Sequence, residues 1–437
     1  MSTTAEVRLW GKTIGAVTIE EGNDVASFQY ADDFARSGIE VAPLEMPLSR
    51  QIYTFPYLSR QSFHGLPGLL ADSLPDRFGN ALIDEWLARQ GRLPGSMNAV
   101  ERLCYTGTRG MGALEYHPAA ALNRSRQTAP VNVSHLVDLA SKILSKRSSL
   151  QTCLGGDELT ESAMKDILRV GTSAGGARAK AIIAWNPETE EVRSGQVKAP
   201  PGFQYWLLKF DGVSGNRDKE QADDTQGFGK IEYAYYLLAK DCGIEMTECR
   251  LLHENGRSHF MTRRFDRDLD GGKIHMQSLA AIAHYDFNLA GANSYEQAIL
   301  ICRRIGAPAG SIEQMYRRMA FNVIARNQDD HVKNIGFLMD RYGNWSLAPA
   351  FDMAYSYNPS GEWTGRHQMS MNGKRDTFAL DDFVACARAA GMKQGRGTKI
   401  VREIQDVVLR RWPEYAGRAG VDDQSIEKIG RVHRQLL

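Results

Sequence analysis

A chain of 437 residues is too long for one ordinary core and implies two or three folding units. Its 43% hydrophobic and 24% charged residues are those of a globular protein, and a net charge of +1 gives no overall attraction to nucleic acid or an acidic membrane. The start, MSTTAEVRLWGKTIG, lacks the apolar core of a signal peptide, and no later stretch approaches a membrane span. Six cysteines without a CxxC pair read as reduced cytosolic thiols, and ten histidines show neither HExxH nor zinc-type Cys/His spacing.

Short apolar runs alternate with turns over residues 5–60, which predicts a small β-rich unit. Pro75 and Asp76 then precede a helical period carrying Ala81, Leu82, Trp86 and Leu87. Residues 119–165 are Ser/Thr/Ala-rich and read as helical pieces. From Ile167 to Arg267 the segments AKAIIAWN, EVRSGQVKA, YWLLKFDG, CRLLHENG and SHFMTRRFD read as strands, with one helix, KIEYAYYLLAKDCGI, ending at Gly243. Helices dominate after Ser278. In SIEQMYRRMAFNVIARN, Ser311 and Gln314 have capping-box spacing, and Met315, Met319 and Val323 recur at helical intervals.

The polar stretch NQDDHVKNIGFL, residues 327–338, leads into IGFLMD, RYGN and WSLAPAFD, a hairpin turning near Tyr342–Asn344. Asn334 and Asp352 lie equidistant from Gly343, which predicts opposed Cα atoms about 4.5–5.5 Å apart. Their hard oxygens suit Mg²⁺. Asp329, five residues before Asn334, completes the spacing in which kinases orient an acceptor hydroxyl and hold metal. Alone, Asp-x₄-Asn also suits a solvated loop with Asx turns; Asp352 and His331 shift the balance to function.

The loop VGTSAGGARAKAIIA, with Gly171, Gly175 and Gly176, lets backbone N–H groups approach phosphate, although Ala177-Arg178 departs from a Walker A ending. Lys209, inside an apolar strand, is either a phosphate-binding cation with Glu232 as its partner, Glu220, Asp223 and Asp224 competing for that place, or an edge-strand guard.

SAGGARAKA, LLKF, EYAYYLLAKDCGI, RRFDR, DDHVKN and APAFDMAYS occur in this order in HipA-type serine/threonine kinases, toxins of bacterial toxin–antitoxin systems, and GLLADSLPDRFGN resembles their N-terminal subdomain. The resemblance covers almost the whole chain. It implies an α+β, bilobal kinase-like fold: an N-terminal β subdomain over 1–120, an ATP-binding lobe over 121–267 and a helical catalytic lobe over 268–437. It makes Asp329 the catalytic Asp, His331 a loop organiser, and Asn334 and Asp352 the Mg²⁺ ligands. ATP phosphates fall to Thr172, Ser173, Gly175, Gly176, Ala177, Lys180 and Lys209, with the backbone near Arg263–Phe265 as adenine-facing hinge. Arg263 stands where relatives carry an acid.

Autophosphorylation at Ser173, with Thr172 adjacent, would act as an off-switch. The implied partners are a protein substrate such as an aminoacyl-tRNA synthetase, a small helix-turn-helix antitoxin and, through it, operator DNA, all cytoplasmic and without a membrane. Other readings are a small-molecule or lipid kinase, a nucleotide-binding pseudokinase or corepressor, and a phosphoesterase using Asp329, Asp330 and His331 with His284 or His367. The basic segments SKRSS and RVHRQLL read as solvated helix ends or as DNA contacts.

Overall fold

The computed structural model describes residues 2–119, 130–148, 167–168, 170, 178–213 and 226–436. The chain forms two compact units. The first holds 1–39, 48–229 and 250–275; the second holds 40–47, 230–249 and 276–437. All strand pairings in the named sheets of the first unit are antiparallel.

In the first unit, β1 (Thr3–Leu9), β2 (Lys12–Ile19), β3 (Ser27–Tyr30), β4 (Ile52–Thr54) and β5 (Leu114–His117) form a sheet in the order β4-β3-β2-β1-β5. Side chains of β1 alternate between core and surface, as period-two patterning requires. Its hairpin turns at Trp10-Gly11, both with positive φ, the two-residue turn that matches strand twist. Trp10 tolerates that backbone where its indole N–H donates to the Lys273 carbonyl at 2.8 Å.

Helix α1 (Arg77–Arg89) begins where the sequence predicts, with the Asp76 carboxylate accepting from Gly79 N at 2.6 Å. Helix α2 (Ala99–Thr106) opens on a capping box of Asn98 and Glu101. Helix α3 (Val133–Ser148) is the described part of the Ser/Thr/Ala-rich tract. A second sheet, ordered β7-β6-β8-β10-β9, comprises β6 (Lys180–Trp185), β7 (Val192–Ser194), β8 (Gln204–Lys209), β9 (Cys249–Glu254) and β10 (Arg257–Arg263).

These parts share one core. Phe78, Leu82 and Leu87 of α1 and Val137 of α3 pack with Ile183, Trp206, Leu208 and Met261 of the second sheet. Buried Asp266 ties the sheets as well, accepting from Gly112 N and from the guanidinium groups of Arg264 and Arg267. Burial alone would raise its carboxyl, but the two guanidinium groups and these hydrogen bonds hold it far below the usual range.

The second unit carries α4 (Phe228–Asp241, from Lys230), α5 (Tyr295–Arg304), α6 (Gly310–Ile324), α7 (Leu380–Ala389), α8 (Arg396–Ala419) and α9 (Asp423–Val432). A small sheet is ordered β11-β12-β13, with β11 (His275–Ser278), β12 (Gly336–Met339) and β13 (Trp345–Leu347). Met315, Met319 and Val323 of α6 are fully buried, as their spacing predicts.

The expected capping box does not form. Helix α6 starts at Gly310 after Ala309, and Ser311 lies buried within it, its N–H already bonded to the Pro308 carbonyl at 2.8 Å. Gln314 is instead engaged by another segment, accepting from Glu245 N and donating to Gly243 O.

Two buried histidines of this unit, His284 and His433, are pushed down to about 4, His284 by burial and His433 by burial and then the Arg326 charge. The unfolded chain takes up these protons near pH 6.5, so stability is full above that pH and declines from 6.5 towards 4. Each histidine should cost on the order of 3 kcal/mol at the acid end of this window. Thermal melting at pH 7.5 and 4.5 checks this; a melting temperature that stays flat would contradict it.

Candidate active site

Helix α6 delivers the chain to the polar stretch. Arg326, at φ 59°, breaks the helix, and its guanidinium is held by the Val432 carbonyl at 2.7 Å and by Gln328 Oε1 at 3.1 Å. The next amides and acids close a loop on themselves. Asn327 Nδ2 donates to Asn322 Oδ1, and Asn334 Nδ2 donates to the Asp329 carbonyl at 2.8 Å. Ser356 clamps the loop from across the unit. Its Oγ accepts from Gln328 N and Asp329 N, at 2.7 and 2.9 Å, and donates to Asn327 Oδ1.

Neighbouring aspartates have opposite fates. The Asp330 side chain is 1% exposed and accepts from Tyr295 OH at 2.6 Å, His367 Nδ1 at 2.8 Å and Gln368 N at 2.7 Å. Burial would raise its carboxyl, but His367 and these hydrogen bonds outweigh it and hold the group below the usual carboxylate range. The Asp329 side chain remains 30% exposed, and its Oδ1 accepts from the Trp363 indole N–H at 2.7 Å. A hydrogen-bonded but accessible carboxylate is the chemistry a general base requires. His331 Nε2 lies 3.8 Å from Asp329 Oδ1, beyond hydrogen-bond reach, while the His331 carbonyl accepts from Asn334 N at 2.9 Å.

The hairpin forms, but not with the expected register. Phe337 opposes Leu347 and Met339 opposes Trp345, so pairing centres on Tyr342 rather than Gly343. Asp340 sets this: its carboxylate accepts from Tyr342 N and Asn344 N, and Gly343 takes φ 85°, a three-residue loop. The chain leaves the hairpin after Ala348, and Ala350 pairs with Met246 instead. Asn334 and Asp352 are therefore not cross-strand partners.

Asp352 joins the loop another way. Its carbonyl accepts from Asn327 Nδ2 at 3.5 Å, and its backbone sits at φ 53°, rare for a residue with a Cβ. Because Asn334 Nδ2 is committed to Asp329 O, its Oδ1 is the atom available to a cation. An amide oxygen and a carboxylate are hard donors of the kind Mg²⁺ takes together with water and phosphate oxygens. Among the described residues no cluster of three or more His, Cys, Asp or Glu could hold a metal. The alternative ligands lie elsewhere: His367 is bound to Asp330, and His284 lies beside Glu45.

In the first unit, Lys209 lies on β8 between β6 and β10, so it does not guard a sheet edge. Its direct cross-strand partner on β6 is Lys180, which places the two side chains on one face. Lys180 is buried with Nζ 3.6 Å from Asp76, and Lys209 Nζ sits over the Phe260 ring at 5.7 Å. Arg263 ends β10 opposite Trp206 and lines a cavity of about 210 Å³ with Gln204, Tyr205, Arg264 and Arg267. Phe265 is half-buried beside it in sequence. Thr172, Ser173, Gly175, Gly176 and Ala177 lie outside the described residues, as do the side chains of SKRSS.

RVHRQLL is not a solvated end. His433 packs against Trp412 and Tyr235, Arg434 pairs with Asp376, and Arg434 N donates to Ile324 O just before the polar loop.

The family model for the HipA-like C-terminal domain matches residues 172–412, and that for the HipA N-terminal domain matches residues 5–117. The chain belongs to the HipA family. A chain from the Shewanella oneidensis MR-1 toxin–antitoxin complex of HipA, HipB and operator DNA has the same fold, with a TM-score of 0.67 over 98% of this chain and 94% of that one, at 16% identity. The putative kinase Y4mE of Sinorhizobium fredii (strain NBRC 101917 / NGR234) is 28% identical over 189 residues. That match spans 40% of this chain and 44% of the relative's length.

Three site residues of this HipA-family chain escaped sequence reasoning: Asp330 as anchor, Ser356 as clamp and Trp363 as donor. Ser356 had a signal as the last residue of APAFDMAYS and Asp330 as the second residue of DDHVKN, but neither pattern showed the role; Trp363 had none.

Proposed function

We propose that this HipA-family chain is an ATP-dependent kinase that phosphorylates Ser or Thr hydroxyls of a protein and acts as a toxin in the cytoplasm until an antitoxin restrains it. The observation that carries the reading is the gathering of Asp329, Asn334 and Asp352 by one hydrogen-bonded loop. Asp329 orients the acceptor hydroxyl and receives its proton as the oxygen attacks the terminal phosphorus of ATP and ADP departs. Asn334 and Asp352 would hold Mg²⁺, which when bound neutralises the phosphate oxygens. Lys209, opposite Lys180 on one sheet face, supplies positive charge for the phosphates, and the backbone at Arg263–Phe265 serves the adenine.

Phosphate on Ser173 would add nearly two negative charges to the nucleotide loop and repel ATP, an off-switch. The Shewanella complex holds HipA, HipB and operator DNA, and by analogy a small antitoxin, the helix-turn-helix protein that the family resemblance implies, carries this chain to operator DNA. No helix among the described residues is long and apolar enough to cross a membrane.

Intact-mass spectrometry after incubation with Mg·ATP tests the reading. Wild type should gain phosphate, while Asp329→Asn and Ser173→Ala should not. Phosphate gained by Asp329→Asn would refute the catalytic assignment.

A further inference from the structure

The segment after Asp352 carries a group whose position the reaction above leaves unexplained. Trp363 reaches back 34 residues to place its indole N–H on Asp329 Oδ1 at 2.7 Å. An indole N–H has one hydrogen bond to give, and here the recipient is the carboxylate assigned to the acceptor hydroxyl. Its ring lies beside that of His331, centroids 6.5 Å apart, and His331 lies beside Phe287 at 6.2 Å.

Trp363 is not carried on a loose flap. Its own carbonyl accepts from Gln368 Nε2, which also reaches the Arg366 carbonyl at 3.1 Å. The Thr364 carbonyl accepts from Gln328 Nε2 at 3.0 Å. The backbone of Gln368 is anchored on Asp330. The loop also closes on itself: Asn358 N bonds to Thr364 O, and a Cβ at Gly365 would stand 2.4 Å from the Gly361 carbonyl. Residues flanking Asp329 on both sides thus hold the tryptophan that holds Asp329. Such bracing of a functional side chain by a surrounding shell preserves its angle through turnover.

We infer that Trp363 is a positioning residue for phosphate transfer: its N–H fixes the Asp329 carboxylate in the orientation that receives the acceptor hydroxyl. The inference rests on the kinase reading above. Loss of the donor leaves the Asp329 carboxylate free to rotate away from the acceptor hydroxyl.

The test uses the full-length chain and the first-order rate of phosphate incorporation over a range of Mg·ATP concentrations. Trp363→Phe keeps a large ring and removes the N–H. It should lower the saturated rate about 10- to 100-fold, the loss expected for a hydrogen bond to a charged group. The Mg·ATP concentration that gives half the saturated rate should stay that of wild type. Trp363→Ala, with its melting temperature as a folding control, should show the same split. A saturated rate in Trp363→Phe equal to wild type, or above it, would overturn the inference and leave the kinase reading standing. No incorporation by wild type would overturn both.

Discussion

Replacing Asp329 by Asn is expected to lower the rate of phosphate transfer by about 10²–10⁴-fold, with Mg·ATP binding mostly kept. Asn is nearly isosteric, and its Oδ1 can still accept from the Trp363 indole and keep the side chain in place. The main-chain bonds to Ser356 and Asn334 do not involve the side chain and survive. What disappears is the negative charge and the ability to take a proton. Initial rates together with a calorimetric nucleotide titration separate the two effects. A variant as fast as wild type would remove Asp329 from the mechanism.

Replacing the adjacent Asp330 by Ala should act on the fold itself, costing about 3–5 kcal/mol of stability, the range for breaking a buried ionic or charge-assisted network from one side. Three donors, on Tyr295, His367 and the Gln368 backbone, would lose their acceptor in the protein interior. The tie between the polar loop and the Trp363 segment would be lost with them. Asp330→Asn keeps one acceptor oxygen but turns the other into a donor facing donors, so its loss should be intermediate.

The pH dependence has a definite sign. The folded carboxyl lies below its ordinary value of 3.8, so its contribution is complete above that pH and is lost as pH falls further. Urea unfolding of wild type and Asp330→Ala at pH 7 and pH 3 should therefore show a wide gap at neutral pH and a narrower one in acid. Equal stabilities at pH 7 would refute the anchoring role.

Much of the local structure was legible in the residues. Helix α1 follows Asp76 as its cap, β9 and β10 turn at Asn255-Gly256, and β1 alternates because one face is buried. These features depend on neighbours within a few positions. The errors have a common cause. Ser311 and Gln314 have the spacing of a capping box, but Gln314 had a better use against Gly243 and Glu245. The hairpin centred on Tyr342 because the Asp340 carboxylate selected a three-residue loop, and that shift removed the predicted opposition of Asn334 and Asp352. RVHRQLL reads as a basic tail only until Trp412 and Tyr235 are placed around His433.

The sequence by itself determined the family, the strand and helix periods and the Asp-x₄-Asn spacing that selects residues 329–334. It chose Asp329 over Asp330 by spacing alone and gave neither carboxylate its surroundings, since the two side chains are identical and joined by one peptide bond. Only the tertiary structure decided that one is buried under Tyr295 and His367 while the other stays accessible beside Trp363. Burial and hydrogen-bond partners come from residues more than thirty positions away, and those set the chemistry of a carboxylate more strongly than its neighbours in the chain.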